Sequence, residues 1–173
     1  MNPITRYIVK LFFVILIQVV ALKNLELGAA NWWVTPFVYF IVILDLPVKF
    51  NPILSMLVAL ILGLVIDMFY DTYGLHASAA VSIAMFRYYF TGFILPRDGF
   101  DTSSSLTVQN VGLGKYLVYI GVLSVIYHLW FFSLEAFTFD MFFLRLTQAF
   151  VSSVVAVVVI LFLHYVFVKF DRY

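Results

Sequence analysis

One arginine, Arg87, stands inside a run, residues 76–95, that carries no other formal charge. A guanidinium set among alanines, phenylalanines and tyrosines leaves a chain few ways to fold. Only 11% of the residues are charged and 65% are hydrophobic, whereas soluble domains run at about 25% and roughly 45–50%. The charge deficit decides the class: an integral membrane protein. A crossing needs ~20 mainly apolar residues, so 173 residues fit about six crossings with short connections and no separate soluble domain.

The expected architecture is an all-α membrane protein, a single domain over residues 1–173 built as a six-transmembrane-helix bundle. The spans fall at approximately 4–22, 32–46, 53–70, 76–95, 115–137 and 141–168. Asn2-Pro3 and Asn51-Pro52 open the first and third spans, an N-cap residue followed by the proline that a first helical turn tolerates. Gln18 is the polar residue deep in the first span and reads as an interhelical hydrogen-bonder. Arg6 and Lys10 ahead of residues 11–22, with Gly28-Ala29-Ala30 beyond, also have the layout of a signal peptide. Lys23, Asn24 and Glu26 intervene and the chain stays apolar afterwards, so a retained span is expected. Trp32 and Trp33 mark a membrane interface, and Asp45 and Pro47 close the second span. The clearly polar loop runs from Arg97 to Ser105. Thr138 or Asp140 caps the sixth span, and Lys169 and Arg172 close the chain.

With six spans, one side collects Arg6, Lys10, Lys49, Arg97, Lys115, Lys169 and Arg172, and the other has Lys23 and Arg145. Positive residues favour the cytoplasm, so both termini are expected there. The turn between spans three and four then faces outward.

That turn carries the densest polar pattern. Ser55, Ala59, Gly63 and Asp67 recur every four residues, a small-residue ridge that lets another helix approach. Ala77, Ala80, Ala84, Arg87 and Thr91 share a face of the fourth span, so the two small faces are expected to pack together. Ionisable groups at membrane depth are costly and are functional candidates by default; Arg87 needs a partner or a path to water. Asp67, Asp71 and His76 are the right residue types for a cation, but a metal site needs three or four converging ligands. The plainer reading has Asp71 or Thr72 capping the fourth helix, Asp67 bonding turn amides, and Gly74 supplying a positive φ. In the fifth span Gly114, Gly121, Ser124, His128 and Glu135 lie within a narrow arc. His128 and Glu135 are spaced for a proton relay or for interhelical hydrogen bonds. Arg145, Gln148, Ser152 and Ala156 share the inward face of the sixth span, and His164 reads as a packing residue.

The sequence lacks a Gly-x-Ser-x-Gly elbow, an HExxH pair and a nucleotide-binding glycine loop, so no enzyme is expected and no cofactor. With no cysteine, disulfides and thiolate metal sites are excluded. A net charge of +1 points away from nucleic acid.

The run Gly63-Leu-x-x-Asp67-(x6)-Gly74-Leu-x-Ala77 resembles the glycine–aspartate–glycine hairpin of the rod shape-determining membrane protein MreD family. The run from His128 to Phe137 resembles one branch of it, and the resemblance covers the whole length. It implies a non-enzymatic, multi-pass protein of the bacterial inner membrane that works in cell-wall elongation. The implied partners are MreC, with one span and a large external domain, and also RodA, the elongation transpeptidase and actin-like MreB. Gly63, Asp67, Asp71, Gly74, His76 and Arg87 would shape the hairpin or its partner surface. The family also looks distantly similar to the substrate-binding subunits of vitamin transporters, which keeps a solute binder as the alternative. A deep outward pocket lined by Arg87, His128 and Glu135 would favour that alternative.

Overall fold

The computed structural model describes residues 3–23, 34–95, 101, 103–136 and 142–170. The Asn2 cap, Gly28-Ala29-Ala30, Trp32, Trp33, Arg97, Thr138, Asp140 and Arg172, and the side chain of Lys169, lie outside what is described.

Apolar stretches bounded by capping residues become helix. α1 spans Pro3–Leu16 and widens into π-helical turns over Ile17–Leu22; α2 is Ile41–Leu44, α3 Pro52–Tyr70, α4 Leu75–Ile94, α5 Val108–Val111, α6 Leu113–Ala136 and α7 Phe142–Phe170. Asn51 caps α3 as expected: its Oδ1 accepts the amides of Ile53 at 2.8 Å and Leu54 at 3.3 Å, and Pro52 takes the first turn. Regular structure among the described residues is helical throughout. Four helical stretches, Thr5–Leu22, Pro52–Tyr70, Leu113–Ala136 and Phe142–Phe167, are long and apolar enough to cross a membrane. α4 has the length, at 20 residues, but is outside that apolar group.

Neighbouring elements pack in the order α3, α4, α6, α7. α1 closes the arrangement through the Gln18–Tyr70 hydrogen bond to α3 and the Lys10 ammonium over the Phe167 ring of α7. Inside lies the stretch expected as the second span, and here the expectation of a membrane helix fails. Of residues 34–46, only Ile41–Leu44 are α-helical, yet every side chain from Phe37 to Leu46 is at most 9% exposed. Non-helical backbone at membrane depth is tolerated where protein buries it, and this segment, the strap, holds the longest run of buried residues among those described, 36–46. From Val38 onward it coils tightly: the amides of Ile41, Val42 and Ile43 bond the carbonyls of Val38, Tyr39 and Phe40 at 2.9–3.2 Å. Residues 35–38, ahead of that coil, belong to no regular element.

The strap binds two levels of the surrounding helices. Gln18 of α1 and His128 of α6 meet it near residues 37 and 38; Tyr7 of α1 and Tyr119 of α6 meet it near residues 42–44. Residues 7 and 18 are roughly 16 Å apart along a helix, and 119 and 128 roughly 13 Å.

Candidate functional site

The α3–α4 hairpin is built around one glycine and one aspartate. A Cβ placed on Gly63 would lie 2.4 Å from the Cα of Ala77, so only glycine permits this approach, and Ser55, Ala59, Gly63 and Asp67 are all buried along the same ridge. Asp67, the last of them, reaches across to the start of α4. Its Oδ1 accepts the His76 amide at 3.0 Å and the Thr72 hydroxyl at 2.5 Å; its Oδ2 accepts the Ala77 amide at 2.9 Å. A helix N-terminus leaves its first amides without partners, and here a carboxylate on the preceding helix supplies them. The capping role expected of Asp71 or Thr72 thus belongs to Asp67, helped by the Thr72 hydroxyl. Asp71 instead ends α3 in the left-handed region at φ 55°, and Gly74 follows at φ 87°. Asp71 is exposed while Asp67 and His76 are buried. No group of three or more His, Asp or Glu suited to a metal occurs among the described residues.

Beneath the hairpin, His76 sits in an aromatic box. The rings of Phe37 and Phe131 are each 4.6 Å away, Tyr70 5.0 Å and Tyr39 5.7 Å. The Tyr127 hydroxyl lies 3.0 Å from His76 Nδ1 and 2.7 Å from the Tyr39 hydroxyl, and Tyr39 donates to the His76 carbonyl at 3.1 Å. His76 Nε2 is buried and has no hydrogen-bond partner among the described residues.

Gln18, Arg87, His128 and Ser152, buried on four different helices, converge on the strap, and what they bind is its backbone. Ser152 Oγ accepts the Thr35 amide at 3.1 Å, His128 Nε2 the Phe37 amide at 3.2 Å and Gln18 Oε1 the Val38 amide at 2.8 Å. Gln18 Nε2 donates to the Tyr70 hydroxyl at 2.8 Å and to the Pro36 carbonyl at 3.4 Å. Because His128 Nδ1 donates to the Ser124 carbonyl at 2.8 Å, the imidazole is neutral with its proton on Nδ1, which frees Nε2 to accept. At the other level Tyr7 donates to the Val42 carbonyl at 2.8 Å and Tyr119 to that of Leu44 at 3.2 Å. Arg87 donates to Leu44 at 3.4 Å, to Pro47 at 3.1 Å and to the Leu46 carbonyl. Lys10 pairs with Asp45, whose carbonyl accepts the Ser105 hydroxyl at 2.5 Å. A buried backbone group left unpaired costs as much as a lost hydrogen bond, so these side chains replace the helical ladder the strap lacks.

The structure therefore separates residues grouped in sequence. Asp67 and Arg87 do not meet: one serves amides at the start of α4, the other carbonyls at the far end of the strap. Ser124 and His128 are in contact, but Glu135 is not with them. It is exposed and pairs with Arg145 across α6 and α7 at 3.3 Å, and Arg145 also reaches Gln148 at 3.1 Å. His164 has a polar neighbour after all, the Tyr116 hydroxyl at 3.3 Å. Sequence reasoning missed Tyr7, Tyr39, Tyr119 and Tyr127. A signal for them was present: Gln18, Arg87, His128 and Ser152 sit on four different spans with no complementary side chains in sight, a surplus that only a backbone can absorb.

Compared with protein-family models, curated proteins and solved structures, the chain matches none.

Proposed function

We propose that this protein is a non-enzymatic scaffold of the bacterial inner membrane, resembling MreD, that binds an MreC-like single-span partner and supports cell-wall elongation. One observation carries the reading: Gln18, Asp67, Arg87 and His128, the polar groups that a catalytic or transport site would use, are spent on the protein's own backbone. Side chains so committed hold a shape. The shape they hold presents an exposed hairpin tip, Met68, Phe69, Asp71 and Tyr73, as the surface for the partner's external domain. RodA, the elongation transpeptidase and MreB would join through the same assembly.

In this reading the chain passes the membrane six times, the four apolar helices being joined by α4 and the strap, with both termini cytoplasmic. Its support is the shared level of Tyr7, Lys10, Asp45, Arg87 and Ser105, which groups the N-terminal end of α1 with the loops after the strap and after α4.

The solute-binding alternative needs room at the centre, and the strap occupies it. Among the described residues, hollows include a pocket of about 10 Å³ between α6 and α7 and a shallow apolar surface depression of about 340 Å³ beside Phe86 and Trp130. Neither is lined by Arg87 or His128.

Co-purification tests the scaffold. Asp71→Asn, which tolerates the left-handed backbone, and Tyr73→Ala should lower recovery of the MreC-like partner and round the cells while leaving the protein's own thermal stability unchanged. Undiminished recovery with normal rods would defeat the proposal.

A further inference from the structure

The two halves of the strap are held by different means. Its inner half, residues 39–46, has internal turns of its own and is gripped by a guanidinium, an ion pair and two tyrosine hydroxyls. In its outer half the amides of Thr35, Phe37 and Val38 bond side chains of three separate helices: Ser152, His128 and Gln18. These are neutral bonds, and neutral bonds are roughly half as strong as those with a charged member. Under this half lies His76 Nε2, buried and without a partner among the described residues, a polar atom that gains a partner if water reaches it. Regions that open are drawn from the least stable end of a structure.

We infer that residues 34–38 form a lid that opens while the inner half of the strap stays seated. Opening withdraws Phe37 from between His76, His128 and Phe131 and uncovers Gln18, His76, Tyr127 and His128 as one polar, aromatic-walled cleft. The lid concerns the fold alone and does not depend on the scaffold reading.

The chain has no cysteine, so single introduced thiols report without background. Val38→Cys tests the lid and Ile43→Cys the seated half, each in the full chain purified in detergent and challenged with a water-soluble maleimide. Position 38 should react at least tenfold faster than position 43. Adding Gln18→Leu or His128→Leu should accelerate position 38 further, by tenfold or more, and leave position 43 protected. Equal rates at the two positions, whether both slow or both fast, would overturn the lid. So would an acceleration that reaches position 43 as strongly as position 38, because the strap would then move as one piece. The milder Ser152→Ala, which removes one bond at Thr35, gives the same test at lower risk to folding and should raise the rate at position 38 severalfold.

Discussion

The α3–α4 hairpin and the strap solve the same problem in opposite ways. Both bury backbone in an apolar interior. The hairpin does it with two complete helices, so its buried backbone needs a side chain chiefly where α4 begins, and the Asp67 carboxylate supplies it; at the exposed end of α3 the Lys23 ammonium bonds the Phe69 carbonyl. The strap gives up most of its helix and must recruit Tyr7, Gln18, Arg87, Tyr119, His128 and Ser152 from four surrounding helices. The difference teaches that a polar side chain deep in a membrane protein can be structural cement for main chain, so that its presence alone does not mark a reaction centre.

Breaking the strap should cost most. Arg87→Leu orphans the Leu46 carbonyl and weakens the hold on those of Pro47 and Leu44, which keep the Phe50 amide and the Tyr119 hydroxyl as donors; at about 1–3 kcal/mol per unsatisfied buried group, a loss of about 2–4 kcal/mol is expected in denaturant unfolding in detergent. Arg87→Ala should recover part of that loss in millimolar guanidinium ion, which fits the vacated place, and gain nothing from the same concentration of sodium.

On the hairpin side, Gly63→Val drives side-chain atoms into the Ala77 backbone. Overpacking of this kind costs about 1–3 kcal/mol, and a thermal unfolding curve should fall accordingly. Asp67→Asn keeps one acceptor oxygen and loses the other; if the oxygen at the Oδ1 place is kept, the Ala77 amide is the group left unserved. About 1–2 kcal/mol is expected; a neutral effect would mean that water replaces the carboxylate and that the hairpin is less dry than its burial implies.

The smallest effect belongs to a pair outside both regions. Glu135→Gln removes the exposed partner of Arg145, and surface ion pairs contribute about 0–1 kcal/mol. Unfolding should shift by no more than about 0.5 kcal/mol. A larger shift would show that the C-terminal end of α6 and the N-terminal end of α7 matter to the bundle as much as the hairpin does.

The contrast also explains what could be read in advance. The ridge of Ser55, Ala59, Gly63 and Asp67 was legible because helical spacing puts small residues on one line, and a glycine there has one use: close approach. The Asp67 bond to turn amides was legible for the same reason, since a helix start always has amides to give. The strap was not. Residues 34–46 are as apolar as any span, and Thr35-Pro36 near their start is no more than a helix entry tolerates. The number of unmatched polar side chains elsewhere carried the hint.

Composition and periodicity alone determined that the chain lives in lipid and that spans three and four close on each other, because both follow from local rules: apolar length and residue spacing along one helix. Only the assembled structure decided where Arg87, His128 and Gln18 spend their hydrogen bonds. Their partners are main-chain groups, which every residue carries alike, so no pattern of side chains announces them.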